Sequence, residues 1–306
     1  MPARAPALDE LIDPDARLTL LASGYEFTEG PVWNVDEQAL YYSDIPGDAR
    51  WRWSEERGAE LVAKPTFKGN GMAYDLDGSL LCCEQVSSCL VRLRQDGPRE
   101  VRELVAFHHG GKYLNSPNDV VVRSDGSIYF TDPDYGRWND WIGCERPARE
   151  LGYRGLFRVP PAGGEPELVV REDEFDQPNG LCFSPDETVL YVNDSSSRNV
   201  KAFEVAADGS LGPARLLHEG IGTGVPREGN VDGMECDELG NVWVTGPGGV
   251  WVLTPAGEHL GVVPTPEVCG SLAWGGPDLR TLYLTTYTTL HSIPTRVASA
   301  PLPPAR

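Results

Sequence analysis

The chain has 306 residues, 40% of them hydrophobic, and 46 acidic against 26 basic side chains, for a formal charge of −20. That balance argues against nucleic acid and anionic membrane as partners, because phosphate binding draws on Lys and Arg, and no apolar run is long enough to span a bilayer. No secretory apolar core follows Met1, and the seven cysteines lack C-x-x-C spacing, so the expectation is a soluble cytoplasmic protein whose cysteines pack as small buried residues.

Residues 17–22 form an apolar segment with no hairpin partner of its own. Six similar units follow. Each opens on a lead residue and a short apolar run: Glu29-Gly30-Pro31-Val32-Trp33, then Asn70-Gly71-Met72-Ala73-Tyr74, Asn118-Asp119-Val120-Val121-Val122, Asn179-Gly180-Leu181-Cys182-Phe183, Asp232-Gly233-Met234-Glu235-Cys236 and Cys269-Gly270-Ser271-Leu272-Ala273-Trp274. A second run lies further on, at 40–44, 80–84, 128–132, 189–194, 242–246 and 282–286. Turn signals such as Asp77-Gly78-Ser79 and Asp125-Gly126-Ser127 precede several of these, which predicts antiparallel hairpins. Third strands are expected at 50–53, 89–94, 155–159, 200–205, 249–253 and 290–294. Fourth strands are expected at 60–64, 101–107, 167–171, 214–219 and 259–264. The sixth unit lacks one.

Self-similarity at a period of about 40–50 residues marks a propeller or solenoid. The expected fold is all-β, a six-bladed β-propeller of four-stranded antiparallel blades. Residues 17–23 would close the ring by completing the last blade, which removes exposed edges. A single domain is expected over 1–306, with blades at 24–64, 65–107, 108–171, 172–219, 220–265 and 266–306. Helical periodicity is almost absent; residues 8–12 suit one turn. Strand direction puts the lead residues, the loops between blades and the loops between second and third strands on one face. The long loop 133–153, with Tyr135, Trp138 and Trp141, and the loop 108–117, with Lys112, belong to that face.

Equivalent positions in a radial array face one axis. The six leads, Glu29, Asn70, Asn118, Asn179, Asp232 and Cys269, would therefore meet there. Hard oxygen donors suit Ca²⁺, Mg²⁺ or Mn²⁺, and the five histidines show no ligand spacing for a histidine zinc site. A carboxylate beside a cation, such as Asp232, can serve as general base. Asp132 and Lys112 are further candidates for substrate contact. The alternative for any single Asn-Gly or Asp-Gly pair is a turn without function; several in register, each starting an innermost strand, favour a site. No G-x-S-x-G occurs, so serine chemistry has little support.

These motifs, with Asn115-Ser116-Pro117-Asn118-Asp119-Val120, Gly126-Ser127-Ile128-Tyr129-Phe130-Thr131-Asp132-Pro133 and Pro178-Asn179-Gly180-Leu181, resemble the SMP-30/gluconolactonase family, also called regucalcin-like proteins. The resemblance spans nearly the whole chain. It implies one divalent cation held by Glu29, Asn179 and Asp232, with Asp232 also the base. Asn118, Asn70, Lys112, Asp132 and Tyr135 would contact substrate. Ca²⁺ is the first expectation, with Mg²⁺, Mn²⁺, Zn²⁺ and Fe²⁺ left open. The implied activity is hydrolysis of an aldono-lactone such as gluconolactone to the sugar acid. Regucalcin-type members carry an arginine where this chain has Ser116, so contacts from that arginine do not carry over; the pattern is similar to the bacterial gluconolactonase branch. Two other readings stand beside it: a phosphotriester or fluorophosphate hydrolase on the same propeller, and a non-catalytic binding propeller stabilised by its metal.

Overall fold

The computed structural model describes residues 7–97, 99–138, 148–223 and 228–301. Six four-stranded antiparallel sheets are arranged in a ring, a six-bladed β-propeller. From the axis outward, blade one is Thr28–Asn34, Ala39–Asp44, Ala49–Ser54 and Gly58–Ala63. Blade two is Gly69–Tyr74, Leu80–Glu84, Cys89–Asp96 and Arg99–Ala106. Blade three is Val120–Val122, Ile128–Asp132, Gly155–Val159 and Glu167–Leu168. Blade four is Pro178–Phe183, Val189–Asp194, Asn199–Glu204 and Arg215–Glu219. Blade five is Met234–Cys236, Val242–Gly246, Gly249–Leu253 and His259–Pro264. Blade six is Cys269–Gly275, Thr281–Thr286 and Thr289–Pro294, completed by Thr19–Ser23 from the other end of the chain. That closing strand sits two residues later at its start than the sequence suggests, and pairs antiparallel with Thr289–Pro294.

Burial falls from the axis outward, and the sequence follows it. The second strands of blades two, three and five are buried at every residue, whereas most of Arg99–Ala106 is exposed. An inner strand packs between two neighbouring sheets, so it reads as a continuous apolar run rather than an alternating one. The core therefore lies between blades. Trp243 of blade five meets Trp274 of blade six edge-on at 5.3 Å, and Trp33 of blade one stacks on Tyr283 of blade six at 5.2 Å across the closure. All six described cysteines are free and buried. Leu8–Leu11 forms a single helical turn. Among the described residues no helix is long and apolar enough to cross a membrane.

Further details depart from the sequence-based expectation. The stretch 108–117 holds a small hairpin, His108–His109 against Lys112–Tyr113; Gly110 and Gly111 both take positive φ, the conformation a tight two-residue turn requires. The outer strand of blade three is only two residues long. The inner strand of blade three begins at Val120 rather than at Asn118. Trp141 lies outside the described residues.

Candidate active site

Each lead residue sits where its inner strand departs from regular pairing. Register shifts fall between Glu29 and Val32, Gly69 and Met72, Pro178 and Leu181, and Cys269 and Ser271. In blades three and five the lead lies two residues before the paired segment. A bulge releases a residue from the ladder and re-aims its side chain.

The glycine after the lead explains how six strands approach one axis. A Cβ on Gly30 would lie 2.2 Å from the Asn70 carbonyl oxygen, and one on Gly71 2.6 Å from that of Asn118. On Gly180 it would lie 2.2 Å from the Asp232 carbonyl oxygen, on Gly233 2.0 Å from Ser271 Oγ, and on Gly270 2.5 Å from Glu29 Oε1. These contacts run from blade to blade and back to blade one. The gap between blades three and four is bridged instead by Asp119, whose Oδ2 accepts the Leu181 N–H at 3.3 Å. Gly180→Ala should therefore destabilise the fold by about 1–3 kcal/mol through overpacking and displace Asp232. Gly152, with open space around it, is the control: Gly152→Ala should leave urea denaturation unchanged.

Glu29, Asn179 and Asp232 come together. Glu29 is 5% exposed. Its Oε2 accepts the Gly30 N–H at 2.8 Å, while the buried Oε1 meets no hydrogen-bond donor among the described residues. Burial first, then the Asp232 and Asp119 charges, push its carboxyl well above the usual range. Asp232 is also raised by burial, with Asp119 adding to the shift and a hydrogen bond from the Asn179 side chain opposing it. Asn179 Nδ2 donates to Ser195 Oγ at 3.0 Å. The sixth lead, Cys269, feels both carboxylates, and its thiol is pushed up by burial and then by Glu29 and Asp232. Asn70 and Asn118 are buried beside them, with Asn70 O accepting Ser43 Oγ at 2.8 Å and Asn118 O accepting the Gly71 N–H at 2.8 Å.

Two further carboxylates share this axis, and the sequence reading did not select them. Burial lifts Asp119 to about 7 against the N–H groups of Val120 and Leu181. Glu235 rises to about 8, by burial and then by Asp119. Asp119 was detectable: it is the one non-glycine at its position among the six units. Glu235 was detectable as a charge inside an apolar inner strand. Among the described residues, no Lys or Arg draws any of these four carboxylates back down.

Tyr135 stands over the group. Its hydroxyl is raised by burial and by Asp232 and Asp194, and lowered by hydrogen bonds with the Ser195 and Asn179 side chains. The short turn Tyr135–Arg137 is seated by Ser116, whose Oγ accepts the Gly136 N–H at 2.9 Å. A Cβ on Gly136 would lie 2.3 Å from that oxygen, so position 136 has no room for a side chain. Gln177 Nε2 donates to Asp134 Oδ1 at 2.6 Å, and Arg154 pairs with Asp134 at 2.8 Å. Trp138 meets Tyr135 edge-on at 4.9 Å and is 47% exposed.

Two candidates are placed elsewhere. Asp132 is fully buried, and its two oxygens accept the N–H groups of Asn115 at 2.8 Å and Ser116 at 2.6 Å. It holds the chain entering blade three, with both oxygens engaged by backbone N–H groups. Lys112 is exposed, paired with His109 in a small hairpin. The same role as Asp132 falls to Asp44, which accepts from Phe27, and Asp194, which accepts from Asp176 and Gln177. A cavity of about 340 Å³ between blades one and two lies at the hairpin turns of the opposite face; its Arg94 is paired with Asp77 and its Arg50 with Glu100.

Among the described residues, no three His, Cys, Asp or Glu side chains form a metal cage by themselves. The ring instead offers two carboxylates and an amide. An unpartnered, buried carboxylate oxygen among mutually repelling acids fits a hard cation, because a buried charge without a partner is costly.

The chain is similar to the gluconolactonase of Zymomonas mobilis, 32% identical over 282 residues, covering 85% of this chain and 75% of that protein. It is 30% identical over 269 residues to pentonolactonase XacC of Haloferax volcanii, covering 84% and 80%. The solved structure of a gluconolactonase from Xanthomonas campestris superposes with a TM-score of 0.84 at 33% identity, covering 94% of this chain and 92% of that one. Residues 27–288 match the SMP-30/Gluconolactonase/LRE-like region, and the chain belongs to that family.

Proposed function

We propose that this protein hydrolyses a sugar lactone with the help of a divalent cation held by Glu29, Asn179 and Asp232. The observation that carries the proposal is the buried Glu29 Oε1 without a donor, beside Asp232 and within the same ring as Asn179. Lactonases among its relatives point to the substrate class. The cation, once bound, supplies positive charge opposite the lactone carbonyl oxygen, where negative charge grows in the transition state.

The chain's own residues do the rest. Asp232 is the base: it accepts a proton from the attacking water as oxygen bonds to the carbonyl carbon. It returns that proton to the ring oxygen as the acyl C–O bond breaks, leaving an alcohol and a carboxylic acid. Its position among other acids favours proton uptake, the tuning a base near neutral pH needs. Asn118, Asn70 and Tyr135 offer polar groups on the same face for the hydroxyls of the sugar. Trp138, exposed at the mouth, offers a ring face.

The test is base uptake at constant pH with gluconolactone. The expected result is a rate above the spontaneous one that a chelator abolishes and excess Ca²⁺ or Mn²⁺ restores. A rate indifferent to chelation would remove the cation from the account. No rate above the spontaneous one across a panel of lactones would remove the lactonase.

A further inference from the structure

The bulge that frees the Asn179 side chain also strips its backbone of partners. Pro178 pairs with Asp194 and Leu181 with Val192, so Asn179 and Gly180 fall outside the ladder. Blade three fills the gap. The Thr131 hydroxyl donates to the Asn179 carbonyl at 2.8 Å, and the Leu181 N–H donates to Asp119 Oδ2. The two holders are tied to each other: the Asp119 N–H donates to Thr131 Oγ1 at 3.2 Å, and the Thr131 N–H donates to the Asp119 carbonyl at 3.0 Å. Thr131 is fully buried, so its hydroxyl spends its proton on Asn179 and a lone pair on Asp119.

Other blades use half of this device. Ser43 Oγ holds the Asn70 carbonyl, and Asn193 Nδ2 holds the Asp232 carbonyl at 2.6 Å. Among the described residues, only Asn179 is flanked by a second grip, two residues on, from a carboxylate that replaces the usual glycine. We infer that Thr131 and Asp119 are positioning residues that fix Asn179 from both sides and aim its side chain into the cation site. The inference rests on the proposed site; neither residue needs to touch substrate. Outer groups that orient a metal ligand are typically worth about 10–100-fold in affinity.

Thr131 gives the cleaner test, because changing it leaves the charge of the ring untouched. Mn²⁺ binding to the full chain is measured by electron paramagnetic resonance, with thermal melting in chelator as the check on folding. Thr131→Val, close in shape but without the hydroxyl, should weaken Mn²⁺ binding about tenfold or more. Thr131→Ser, which keeps both hydrogen bonds, should bind as the wild type does. Ser43→Ala removes the same kind of bond from Asn70, outside the proposed ligand set, and should leave Mn²⁺ affinity unchanged even where it lowers the melting temperature. If Thr131→Val does not fold, Thr131→Ala, which leaves room for a water, carries the same expectation. Equal affinity for wild type and the hydroxyl-free variant overturns the inference alone, as does equal weakening by Ser43→Ala. A wild type that binds no Mn²⁺ overturns the cation site and this inference with it.

Discussion

Asp232→Asn is expected to lower kcat on gluconolactone by about 10²–10⁴-fold, the range that a positioned base contributes, while the protein stays folded. The substitution keeps the size of the side chain and its place beside Asn179. It removes a negative charge that repels Glu29, so stability in chelator should hold or rise. The informative arm is the cation dependence. If Asp232 transfers the proton, saturating Ca²⁺ will not recover the lost rate. Full recovery at high cation would show that Asp232 only holds the ion and that another group is the base.

Stability of the cation-free protein should fall as pH rises from 5 to 8, by about 5 °C or more in melting temperature. The direction follows from linkage. Burial raises Asp119 and Asp132 to about 7 and Glu235 to about 8, all above their ordinary carboxylate values. The folded state then binds protons more tightly than the unfolded chain. This contribution is fully present below about pH 4 and is lost as pH climbs through the folded values. Excess Ca²⁺ should reverse the loss at pH 8 and do less at pH 5, where protons compete for the ligand carboxylates. A melting temperature flat from pH 5 to 8 in chelator would mean that these acids ionise inside the fold without cost.

The architecture was readable because its signals are local. Asp77 and Asp125 bond the backbone N–H of Ser79 and Ser127 in their own turns, and such turns space the strands without help from distant residues. The lead residues were readable because radial repetition turns one sequence position into one place. The losses came where distant partners compete for a side chain. Asp132 stands at the correct end of its strand, but the amides of Asn115 and Ser116 claim both its oxygens. Lys112 lies on the expected loop, but Gly110 and Gly111 fold that loop into a hairpin in which it pairs with His109. Asp119 stands in the place that glycine holds after the other leads, and its reach to Leu181 across sixty-two positions of sequence exists only once the blades meet.

A crystal of the protein soaked in Mn²⁺ tests the central claim most directly. The account predicts one anomalous peak on the propeller axis, about 2.0–2.4 Å from oxygens of Glu29, Asn179 and Asp232, within the distances such ions take to oxygen. An axis without a peak, or a peak bound away from these three side chains, would contradict it.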